Sequence, residues 1–165
     1  MSTGALITRA TIWLALLCYA ATTALEARVA SRSARYTRVI WLMGCCFFLV
    51  HVAAAFQFYH QWSHALAENH TRLETARLTG LDSGRGIYFN YLLGLMWLAD
   101  CAAWPLRGQH LHESHSKWHI ALHAFFLFMI FNATVVFGHG WARPAGAVLC
   151  TLALSSLILR KRFPT

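Results

Sequence analysis

VIWLMGCCFFLVHVAAAFQFYHQWSH, residues 39–64, decides how the rest of the chain is read. From Val39 to Tyr59 it carries no Asp, Glu, Lys or Arg, and its one imidazole within that run is His51. About 20 residues of this kind let an α-helix cross the hydrocarbon core of a bilayer. A soluble helix of the same length would set a polar face against an apolar one, and this stretch has none. It therefore reads as a membrane span. The histidines then become the question, because an ionisable group inside a span is costly and points to function by default.

Composition extends that reading to the whole chain. Of 165 residues, 58% are hydrophobic and only 12% charged, where a soluble domain has about 25% charged. The mean hydropathy is +0.45. The length suits one domain. A net charge of +8 would ordinarily raise nucleic acid as a partner. Here the basic residues fall in short loops between apolar runs, and no basic stripe interleaves with exposed aromatics, which argues for the lipid bilayer and against nucleic acid. The five cysteines, Cys18, Cys45, Cys46, Cys101 and Cys150, all lie in apolar runs with no CxxC or CxxCH. They read as small hydrophobes. No GxSxG, HExxH, Walker or Rossmann pattern occurs.

The expected fold is all-α: an integral membrane helical bundle with five transmembrane helices, forming a single transmembrane domain over residues 1–165. The spans run roughly over residues 6–25, 39–59, 87–106, 118–137 and 142–159. The chain start lacks a basic stretch ahead of its apolar run, and that run is long enough to span, so it reads as the first span and not a signal peptide. Residues 60–86 form an outer, partly helical connection, in which the second helix either extends past the membrane or breaks into a short interfacial helix, with Glu68 and Arg72 in the favourable i,i+4 order, Gly80 as a helix stop and Asp82-Ser83-Gly84 as a turn.

With five spans, Arg28, Arg32, Arg35, Arg38, Arg107, Lys117, Arg160, Lys161 and Arg162 share one side. Arg9, Arg72, Arg77, Arg85 and Arg143 fall on the other, offset by Glu68, Glu74 and Asp82. The positive-inside rule then puts the N-terminus outside and the C-terminus in the cytoplasm, in a bacterial inner (plasma) membrane.

Counting a rise of about 1.5 Å per residue puts His51 just beyond the midplane, with Asn90 and Asn132 in the outer half. By the same count Met96 and Met129 come out near the depth of His51, and Asp100 and His123 match each other on the inner side. Two axial ligands on different helices are what haem b requires. The cofactor-binding candidates are therefore His51, Met96, Met129, Asn90 and Asn132. The competing expectation is that His51 bonds a neighbour such as Asn90 or Asn132. Asp100 and His123 are candidates for a buried polar pair. At the outer interface His60 and His64 sit one helical turn apart, and His70 or His139 can add a ligand for a transition metal. The run HLHESHSKWHIALH, with His110, His112, His115, His119 and His123, is the densest stretch of ligand-type residues.

In helix count and composition the chain resembles the membrane cytochrome b subunits of respiratory oxidoreductases. That resemblance implies haem held by histidines on a common helix face. His51 departs from it, since nine residues to His60 turn the helix by about 900°, half a turn off face. The functional expectation is a histidine-lined membrane protein that binds haem or a transition metal as a redox or metal-handling subunit, with other membrane subunits as partners. The alternative is a non-catalytic structural or assembly subunit, its buried His, Asn and Asp acting as interhelical hydrogen bonds.

Overall fold

The computed structural model describes residues 2–28, 34–107 and 117–162, with side chains except at 28, 34, 104–107 and 160–162. Six α-helices account for nearly all of these: α1 (Thr3–Arg28), α2 (Ala34–Ala55), α3 (His64–Thr79), α4 (Gly86–Arg107), α5 (Lys117–Phe131) and α6 (Ala142–Arg162). No strand occurs among the described residues. Two of the helices end in a wider π-helical turn, Phe56–His60 after α2 and Asn132–Val136 after α5.

Helix occupies each apolar segment expected to be a span. Among the described residues, four helical stretches are long and apolar enough to cross a membrane: Thr3–Ala27, Arg35–His60, Lys117–Val136 and Ala142–Leu159. α4 has 22 residues, but Asn90 and Asp100 interrupt its apolar run. The outward flanks carry large exposed apolar side chains, Leu14, Leu17, Leu42, Met43 and Val50 among them. Apolar surface on this scale is a liability in water and ordinary against lipid.

The helices close into a ring in the order α1, α2, α4, α5, α6, with α1 packed most extensively against α2 and then α6. Aromatic rings fill the middle. Tyr19 of α1 stacks on Phe126 of α5 at 5.0 Å, and Trp41 of α2 meets Trp97 of α4 at 5.1 Å. Trp97 also stands edge-on to Phe126 at 4.7 Å. Gly44 is what lets α2 approach: a Cβ there would fall 2.8 Å from the Trp97 ring and 3.0 Å from Cys18 Cβ. Thr22 and Thr23, although buried, return their hydroxyls to their own helix, on Cys18 and Ala20 carbonyls. They therefore cost little in an apolar interior.

α3 is the polar exception. Ser63 caps its first turn through Leu66 N–H, and Gly80 ends it with φ of 75°. The expected Glu68–Arg72 pairing gives way to other contacts. Arg72 reaches Asp82 at 2.8 Å and Asn69 at 3.0 Å, because the loop after Gly80 folds back along the helix. Glu68 lies instead beside His64, at 3.7 Å.

At the other broken helix, Thr134 in the π-helical turn of α5 is pressed by both Gly138 and Gly146, so that a Cβ on either glycine would overlap it. The Gly146 contact, from α6, is the small-residue approach that lets membrane helices touch closely. Gly94 is less confined, with Phe48 at 3.3 Å. Gly146→Ala is therefore expected to cost about 1–3 kcal/mol by overpacking, and Gly94→Ala much less. Thermal unfolding of the two variants in detergent checks this ordering.

Candidate functional site

The stretch that opened the sequence reading does not continue as one helix. α2 widens at Phe56–His60, and Gln61 and Trp62 then take left-handed backbone conformations with φ of 48° and 58°. Such geometry is uncommon for residues other than glycine and tends to mark functional or switching sites. Trp62 Nε1 donates to Gln57 Oε1 at 2.8 Å and Ser63 N–H to His60 O at 2.7 Å, which ties the reversal down. The expectation that His60 and His64 share a helix face is corrected here. The break puts His60 on the end of α2 and His64 at the start of α3, pointing to different neighbours.

His60 meets His70 of α3, ring centroids 5.5 Å apart. His64 turns to α4, with Nδ1 2.9 Å from the Tyr91 hydroxyl and Nε2 3.4 Å from that of Tyr88. His139 is taken by α3: Arg77 Nη2 donates to its Nε2 at 3.0 Å. Of the four outer histidines, the structure thus joins His60 with His70 and gives His64 and His139 other company.

His51 lies deeper. Its Nδ1 is 2.8 Å from the backbone oxygen of Thr8 on α1. A carbonyl only accepts, so Nδ1 carries the proton and the neutral ring has its lone pair on Nε2. This is the orientation of an imidazole held from behind by a backbone carbonyl, the usual support of a ligating histidine. The helix-to-helix bond is made to α1, not to Asn90 or Asn132. Asn132 Nδ2 donates to Phe128 O within its own helix, at 2.7 Å.

A cavity of about 310 Å³ opens inside the ring, toward the α3 end. Its apolar wall includes Tyr19, Phe48, Trp97 and Phe126, and its polar wall His51, His60, His70 and Asn90. Met129 lines it too, whereas Met96 is packed against the aromatic core. The volume lies at the lower end of the range for small-molecule pockets. Trp97 adds a feature that counting along the sequence missed: it is 3% exposed, and its indole N–H has no acceptor among the described residues. A buried orphan donor is rare and calls for an explanation, an occupant among them.

Asp100 and His123, matched in depth, have hydrogen bonds to other residues. Asp100 Oδ1 accepts from Trp118 Nε1 at 3.2 Å, and His123 Nδ1 lies 3.2 Å from the Tyr19 hydroxyl. His123 is also in contact with His119, and the two are grouped with Glu26, a residue the sequence reading did not single out. His110, His112 and His115 lie outside the described residues.

The left-handed pair makes a direct test of the break between His60 and His64. Asparagine tolerates this conformation and a β-branched residue does not. Gln61→Asn is expected to leave stability unchanged, and Gln61→Val to lower it by about 1–2 kcal/mol, read as the shift in thermal midpoint. No known protein family matches the chain, and comparisons with curated proteins and with solved structures return no match.

Proposed function

We propose that the chain is a five-span bundle of the bacterial inner membrane, N-terminus outside, that holds haem b or a transition metal in the histidine-lined cavity. It would act as a redox or metal-handling subunit within a larger membrane assembly. One observation carries this reading. Residues picked out for separate reasons, His51, Met129 and Asn90 as cofactor candidates and His60 and His70 as metal candidates, line one cavity. α4 is counted as the fifth span on its length of 22 residues and its place in the ring. The orientation rests on the excess of basic residues on one side.

His51 and Met129, which both line the cavity, would hold a haem iron, and the apolar wall would exclude water from its faces. His60 and His70 would hold a metal ion at the α3 end. Bound haem supplies one-electron transfer, tuned by its axial ligands and by the dryness of the pocket. The chain's own part is to hold the His51 ring in one orientation through Thr8.

The test is the absorption spectrum and metal content of the full chain purified in detergent. The expected result is a Soret band that His51→Ala removes, or a stoichiometric metal that His60→Ala with His70→Ala releases. A preparation with neither contradicts the proposal.

A second reading draws on the same His51–Thr8 bond. If that bond serves only to join α1 to α2, the protein is a structural or assembly subunit. His51→Ala then lowers stability by about 0.6 kcal/mol and at most about 1.7, the average and maximum for hydrogen bonds between membrane helices, and no spectrum or metal is lost with it.

A further inference from the structure

Glu26, His119 and His123 form a group outside the cavity. Glu26 stands near the C-terminal end of α1, and His119 and His123 near the start of α5. Helices running in opposite directions bring these to one end of the bundle, away from α3. One donor atom from each, a carboxylate oxygen and two ring nitrogens, all lie within 4.8 Å of one another. His119 Nε2 is 3.9 Å from Glu26 Oε2, and the two imidazoles meet edge to face at 4.2 Å. The group is sheltered: the Glu26 side chain is 15% exposed, that of His119 23%, and His123 only 4%.

The geometry points to a second, independent site here, for a divalent first-row transition metal held by Glu26, His119 and His123. Histidines at i and i+4 on one helix face, joined by a carboxylate from another element, are a ligand set suited to zinc or ferrous iron, with positions left open. In a tetrahedral site with bonds of about 2.0–2.2 Å, neighbouring donors stand roughly 3.3–3.6 Å apart. The present spacings need only small side-chain rotations to close on an ion.

An outer partner is already in place. The Tyr19 hydroxyl, on a residue 1% exposed, sits 3.2 Å from His123 Nδ1. Contacts of this kind orient a ligating imidazole. Trp41 adds an aromatic wall, 5.9 Å from the His123 ring. The group therefore combines three converging donors with an oriented ring in a dry setting, which a solvated surface pair of histidines lacks.

The test is titration of chelator-stripped full-length protein in detergent with Co(II), followed by its visible absorption, and displacement by Zn(II). One Co(II) per chain is expected at this site, counted in the His60→Ala, His70→Ala variant so that the metal candidates of the cavity do not contribute. Glu26→Gln and His119→Gln should each weaken binding at least tenfold, and Tyr19→Phe by about tenfold, with helicity and elution volume unchanged. If His119→Gln fails to fold, Glu26→Gln decides. Binding at this site should persist in the His60→Ala, His70→Ala variant and in His51→Ala, which separates it from the cavity. Absence of saturable uptake overturns the inference. So does wild-type affinity in Glu26→Gln, or binding lost when His110, His112 and His115 are replaced together and kept in Glu26→Gln.

Discussion

His51 Nδ1–H donates to the carbonyl of Thr8, and the way this ring is presented to the cavity depends on that bond. A polar group left unpaired in a bilayer costs several kcal/mol, and this bond pairs one side of the ring. The Thr11 hydroxyl, which donates to the Ile7 carbonyl at 2.8 Å, also lies 3.2 Å from the Thr8 carbonyl. The His51–Thr8 bond sits in the α1–α2 interface, the most extensive in the structure. It settles which ring nitrogen carries the proton, and so leaves a basic nitrogen on a residue that lines the cavity.

The same logic runs through the other polar residues. Threonines return their hydroxyls to their own helices, Tyr19 meets His123 across the ring, and Asp100 accepts from Trp118. What remains is concentrated at two ends. Toward α3 lie the cavity and the His60–His70 contact. At the other end lie Glu26, His119 and His123. Between them the aromatic core of Tyr19, Trp41, Trp97 and Phe126 is closely packed. Trp41 and Trp97 keep buried indole N–H groups without acceptors among the described residues, which is where polar matching is least complete.

The helical class and the helix positions were legible in the sequence because apolar run length is a direct reading of bilayer thickness. Gly80 as a stop was legible too, since few other residues adopt its positive φ. The break after His60 was harder. Nothing in Gln61 or Trp62 announces a left-handed backbone, which tertiary and hydrogen-bond context imposes, so the His60–His64 spacing looked like one face. Depth counting put Met96 and Met129 near His51 and Asn90 further out; His51, Met129 and Asn90 line the cavity, while Met96 packs on the aromatic core. It also matched Asp100 with His123, but depth says nothing of azimuth, and each is bonded elsewhere. Glu26 was within reach of the same count, at the end of the first apolar run as His119 is at the start of the fourth. It was passed over because an acid followed by arginines looks like an ordinary loop boundary.

The ring state of His51 is the most direct point of attack. Nitrogen-15 NMR of histidine-labelled full chain in detergent, with His51→Ala to assign the signal, reads which nitrogen is protonated. The account predicts a neutral ring with the proton on Nδ1 and a bare Nε2, shifted further if a metal is bound there. A ring carrying its proton on Nε2 alone would contradict it, because the bond to Thr8 could not then exist and the cavity would lose its oriented ligand.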